Sequence, residues 1–157
     1  MDHVLDRTDL RLLAALQQDA RLTVAELAER VSLSSSPCWR RVRRLEQAGY
    51  IEGYHARLSA PRPGYGITAF VSVVMGSHGQ DIARAFEAAI QDIPEVVACH
   101  NVSGEYDFLL EVVATDLASY GQFARNVLQA LPGVRELHSS FSLMSIKARR
   151  RLPLPGA

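Results

Sequence analysis

At 157 residues and 48% hydrophobic, the chain has enough apolar material for one ordinary core or two small ones, and its formal net charge is zero. Its two cysteines, Cys38 and Cys99, have no CxxC or zinc-type neighbour, which excludes a disulfide scaffold; the longest apolar run, residues 67–76, is about half of a bilayer span. No apolar signal segment opens the chain, so free thiols, a cytoplasmic location and no membrane partner are expected.

The zero sum hides a segregation. Up to Ala60 there are nine arginines against eight acids, whereas residues 61–146 hold four arginines against nine acids, about −5. Lys147, Arg149, Arg150 and Arg151 then restore the balance. A basic head on an acidic body suits a protein whose head alone meets a polyanion.

Leu10, Leu12, Leu13 and Leu16 keep helical spacing after Asp6 or Thr8. Thr23-Val24-Ala25-Glu26 is a capping box that opens a second helix running through Val31. The link Ser32-Leu33-Ser34 leads into a third helix, short enough to fix a crossing angle as in a helix-turn-helix. A serine can cap this third helix, Pro37 suits its first turn, and Gly49 can close it. At about 100° per residue Cys38, Val42 and Leu45 share one side, whereas Ser36, Arg40, Arg44 and Gln47 share the other, with Arg41 and Arg43 on the flanks. Arg43 has Glu46 at i+3, but Arg40, Arg41 and Arg44 have no acid at i+3 or i+4 within the helix, which leaves charge for an external anion.

A basic helix of this kind reads as a DNA-recognition helix. Arginine holds a phosphate or the O6/N7 edge of guanine with two bonds at once. Base contacts usually come from the amino-terminal part, which nominates Ser35, Ser36, Trp39 and Arg40; Arg41, Arg43 and Arg44 are expected on phosphates. Trp39 packs on the second helix or touches DNA, and Cys38 belongs to the core. One head neutralises few phosphates, so dimerisation is expected to be part of the mechanism.

Residues 50–58 read as β structure, a short wing. Residues 59–66 contain two prolines and two glycines and read as the linker. Beyond it the expected order is strand 67–75, helix 80–93, strand 96–102, strand 106–114, helix 117–131 and strand 134–146. The fold class is therefore α+β: a winged helix-turn-helix over residues 1–58, the linker, and a ferredoxin-like βαββαβ sandwich over 67–157. The sheet's uncovered face should carry Val71, Val73 and Leu109 or their pleat neighbours and needs a partner.

Head and body together resemble the Lrp/AsnC family of regulators. The resemblance rests on Asp6-Arg7-Thr8-Asp9 before Leu12-Leu13, Gln18-Asp19-Ala20-Arg21, Glu26-Leu27-Ala28 and Leu33-Ser34-Ser35-Ser36-Pro37-Cys38. It continues through Arg40-Arg41-Val42-Arg43-Arg44-Leu45-Glu46, Gly49-Tyr50-Ile51 and Gly104-Glu105-Tyr106-Asp107. It implies transcription regulation through double-stranded DNA, a homo-oligomer from dimer to octamer, and a small effector, usually an amino acid. It also implies that the Gly104, Tyr106 and Asp107 element borders the effector pocket at a subunit interface. By chemistry alone, Gly104 lets backbone donors approach a carboxylate and Asp107 can receive an ammonium. The same residues also suit a plain hairpin turn, and Tyr106 either walls the pocket or joins the core.

Catalysis is not expected. Cys99 and His100 look like a nucleophile beside a base, but adjacent strand residues point to opposite faces. The five histidines, at 3, 55, 78, 100 and 138, show no ligand spacing, so neither a metal nor a cofactor is expected. A sensor subunit that had lost DNA binding would show a degraded recognition helix, and residues 34–49 show no such damage.

Overall fold

The computed structural model describes residues 4–56, 58–59, 63–76, 79–147 and 151–154, and the statements below concern those. Contacts divide the chain into two units, residues 1–57 with 147–157, and residues 58–146.

In the first unit, α1 (Arg7–Gln18) begins at a reciprocal cap: Asp6 accepts from the Asp9 amide at 2.8 Å, and Asp9 accepts from the Asp6 amide at 3.2 Å. The expected Thr23/Glu26 box opens α2 (Val24–Arg30), with the Thr23 amide donating to Glu26 at 2.7 Å. Ser32, at φ 58°, turns the chain into α3 (Ser35–Gln47). That helix ends as its sequence requires: Gly49 takes φ 76°, its amide donates to the Glu46 carbonyl, and the Tyr50 amide donates to the Leu45 carbonyl, a Schellman closure. Leu12, Leu27, Cys38 and Leu45 form the buried centre, so Cys38 is a core residue whose thiol burial pushes up in pKa.

Two expectations for this unit change. Residues 50–56, 58 and 59 form no strand among the described residues. A single β-prone run without a second run beside it has no ladder to join; the segment hangs instead on α3 through Tyr54, whose hydroxyl donates to Glu46 at 3.0 Å. Burial, and then Glu46, push the Tyr54 phenol up to about 12. The carboxy-terminal residues, expected with the body, group with the head. Leu154 packs against the head core, and Leu152 exchanges two hydrogen bonds with the Gln17 side chain, donating to it at 2.7 Å and accepting at 3.3 Å. Arg149, Arg150 and residues 60–62 of the expected linker lie outside the described residues.

The second unit follows the expected order: β1 (Ile67–Met75), α4 (Gln80–Gln91), β2 (Val96–Asn101), β3 (Phe108–Ala114), α5 (Leu117–Asn126), a 3₁₀ turn (Leu128–Ala130) and β4 (Val134–Phe141). All pairs are antiparallel in the spatial order β2-β3-β1-β4, the split arrangement. Phe86 and Ile90 of α4, Tyr120 of α5 and Leu128 cover one face, and the Phe86 and Phe108 rings lie 4.5 Å apart.

Val71 and Val73 are fully buried on this covered face, contrary to one form of the expectation. Their pleat neighbours Phe70, Ser72 and Val74, with Leu109 across from Ser72, line the other face, where Phe70 remains 43% exposed. The second helix stops at Asn126 and tightens, since Leu131 precedes Pro132 and cannot stay helical. The last strand ends at Phe141, not 146, because its neighbour β1 begins at Ile67 and the final bond runs from the Ser142 amide to the Thr68 carbonyl.

Candidate nucleic-acid and effector sites

The start of α3 is open. Ser34 occupies the cap position with extended backbone, but its side chain makes no capping bond, so the expected serine cap is there in position only. The first-turn amides are then available to an outside acceptor, and Ser35, Ser36 and Arg40 are all exposed. Together with Val24 and Trp39 they line a shallow depression of about 480 Å³. Trp39 is 51% exposed, which places it at the rim of this surface. Arg43 lies 5.6 Å from the Trp39 ring centroid and 3.6 Å from Glu46, with 57% of its side chain exposed.

Arg41 and Arg44, expected on phosphates, are not free charge: both are paired with acids of the head itself. Arg41 Nη1 donates to Asp6 at 2.6 Å and to Asp9 at 2.8 Å; Arg44 Nη2 donates to the two oxygens of Asp9 at 2.7 and 2.9 Å. Asp9 is fully buried. The acids lie on and just before α1, some 32 to 35 residues away in sequence, so spacing within the helix could not reveal them. Their signal was the Asp6-x-x-Asp9 pair itself. The Asp9 amide, and next the Arg41 guanidinium, hold the Asp6 carboxyl below the ordinary carboxylate value; Asp6, then Asp9, push Arg41 up.

In the body, Gly104 sits in an exposed turn at φ 125°, a conformation that favours glycine, with open space where a side chain would begin. Asp107 is partly buried. Its Oδ2 accepts from the Met75 amide at 2.7 Å, its own amide donates to Val73, and its carbonyl accepts from Val102 and from Asn101 Nδ2. It therefore ties the turn to the end of β1. The Tyr106 ring lies 5.3 Å from that of His138, whose β4 position is in register with Ser72 on the uncovered face. Tyr106 is thus outside the buried core.

Cys99 pairs opposite Leu110 and His100 opposite Leu109, so the two side chains point to opposite faces and share no proton. Burial, then Glu87, push the Cys99 thiol up, away from nucleophile character. Among the described residues no group of three metal-ligating side chains gathers, and no helix is long and apolar enough to cross a membrane.

Comparison with known proteins gives two family matches: a winged helix-turn-helix DNA-binding model over residues 5–52 and an Lrp/AsnC ligand binding domain over residues 68–152. The Bkd operon transcriptional regulator of Pseudomonas aeruginosa is 44% identical over 150 residues, 96% of this chain and 98% of its own length. The DNA-binding transcriptional activator DecR of Escherichia coli is 37% identical over 151 residues, 96% and 99% of the two chains. A Neisseria meningitidis transcriptional regulator crystallised as an L-Met complex superposes with a TM-score of 0.92 at 40% identity, covering 97% of this chain and 98% of that one.

Proposed function

Since this chain belongs to the Lrp/AsnC family of DNA-binding transcriptional regulators, we propose that it reads duplex DNA through Ser35, Ser36, Trp39, Arg40 and Arg43, under the control of an amino acid. The observation that carries the DNA surface is the start of α3: uncapped amides, two exposed serines and Arg40, for which no carboxylate partner is found among the described residues. A helix amino terminus beside a guanidinium suits phosphate at its end and base edges along its first turns.

The effector reading rests on the ligand-binding match over the body and on the similar L-Met complex. In it the body binds the amino acid where copies meet: Gly104 brings backbone amides close to the carboxylate, Tyr106 borders the site, and Asp107 fixes the turn's shape from behind. The uncovered sheet face, with Phe70, Val74 and Leu109, supports self-association into a dimer and, following the family, an octamer. In this reading the protein works in the cytoplasm, where a regulator of this family meets its DNA.

The test is fluorescence anisotropy of a labelled duplex from the protein's own upstream region, titrated alone and with each of the twenty amino acids, alongside sedimentation. Salt-sensitive binding that one or a few amino acids shift is expected. Binding and assembly that ignore all twenty would remove the amino-acid effector.

A further inference from the structure

Of the four arginines on α3, the fold pairs two with carboxylates of its own α1 end. We propose that Asp6 and Asp9 are positioning residues that withhold Arg41 and Arg44 from DNA phosphate, so that Arg40 and Arg43 provide the cationic grip of this helix. The proposal rests on the reading that α3 is the DNA-contacting helix.

The geometry supports it from both partners. Asp9 has no solvent exposure, and both of its oxygens are used by Arg44 while one also receives Arg41. A phosphate that drew either guanidinium outward would take from a buried carboxylate one of its two arginine partners, which is unfavourable. Arg44 is drawn in far enough that its Nε is buried with no partner. Arg41 keeps 29% and Arg44 41% of the side chain exposed, against 57% for Arg43. Arg43 instead lies beside Trp39 on the open side.

The consequence is for sequence-independent binding. Each cation that neutralises a phosphate adds about 0.9 to the slope of log affinity against log salt, or about 3.5-fold in affinity over a fourfold salt range. Two arginines removed from every head lower the affinity for arbitrary DNA and leave discrimination to groups at the start of α3. The same contacts fix α3 against α1, so the charge that does not touch DNA sets the angle of the residues that do.

The experiment measures salt dependence of the full-length protein on a 30-base-pair duplex of random sequence, with folding checked by circular dichroism. Arg41→Gln and Arg44→Gln are expected to lower the melting temperature and leave the slope unchanged, whereas Arg43→Gln flattens it by about 0.9 per head. Should either of these two variants fail to fold, Asp6→Asn decides. Asparagine caps a helix as well as aspartate, so α1 keeps its start while Arg41 loses one charged partner, and the slope steepens. Glu29→Gln, which removes the same charge from the exposed surface of α2, leaves the slope at its wild-type value.

Flattening by Arg41→Gln or Arg44→Gln equal to that of Arg43→Gln overturns the proposal, as does Asp6→Asn with an unchanged slope. If Arg40→Gln and Arg43→Gln also leave the slope unchanged, the reading of α3 itself fails and takes the proposal with it.

Discussion

Arg40 and Arg44 are four residues apart on one helix face, yet only the first has its charge to spare. Arg40→Ala is therefore expected to change which duplexes are preferred, by about 1–3 kcal/mol for a lost bidentate base contact; competition between a selected and a random duplex reads this, and equal losses on both would deny Arg40 a base. Asp6 gives the head an acid sensitivity. Its carboxyl titrates below its ordinary value of 3.8 when folded, so its stabilisation is present above that value and fades as pH falls through the folded pKa. The head's melting temperature should drop on acidification below about pH 4, and Arg41→Gln should weaken that dependence. Gly133 holds a different constraint: at φ 74°, a Cβ would stand 2.2 Å from Ile82 Cγ2 and 2.8 Å from Met75 Cε. Gly133→Ala is expected to destabilise the body by about 1–3 kcal/mol in urea unfolding, through strain and overpacking. The spacing of residues names α3 and its basic composition, but an ion pair formed between helices leaves no mark in i+3 or i+4 arithmetic. Asp6 and Asp9 were visible as part of a pattern without showing whom they hold.

Elements whose ends are chemical signals were legible. The Thr23/Glu26 box and the Gly49 closure appear where the sequence puts them. Thr23→Ala should cost the head about 1 kcal/mol, readable as a lower thermal midpoint with the body's midpoint unmoved. Elements whose ends depend on a neighbour were not legible. Whether residues 50–59 become a strand is settled by what lies alongside, and so is the end of β4, which stops where β1 offers no further carbonyl. The faces of β1 show the same limit. Alternation separates Val71 and Val73 from Phe70 and Val74, but only the position of α4 and α5 says which set is covered. For the candidate effector site, Gly104 announced its turn, whereas the bond from Met75 to Asp107 joins residues 32 apart and is a property of the sheet.

For the molecule as a whole, composition located a basic head and an acidic body, and it placed the basic tail with the body because the tail follows it in sequence. Packing puts the described residues of the tail, Lys147 and 151–154, with the head. Leu152 and Gln17 bond across 135 residues, and Leu154 adds to the head's apolar cluster. Removing residues 151–157 is expected to lower the stability of the head by about 1–2 kcal/mol, the order of one partly buried leucine, with the body unaffected; two calorimetric transitions, of which only one shifts, would show it.

That returning tail bears on the order in which the protein is made. Synthesis delivers α1, α2 and α3 to the ribosome exit well before Leu152 and Leu154. A nascent head must wait with Gln17 unsatisfied by its eventual backbone partner and one side of α1 unfinished, until the whole of the body has been translated. Maturation of the first domain is in this way timed by completion of the second, and polypeptides abandoned midway carry an unclasped reader.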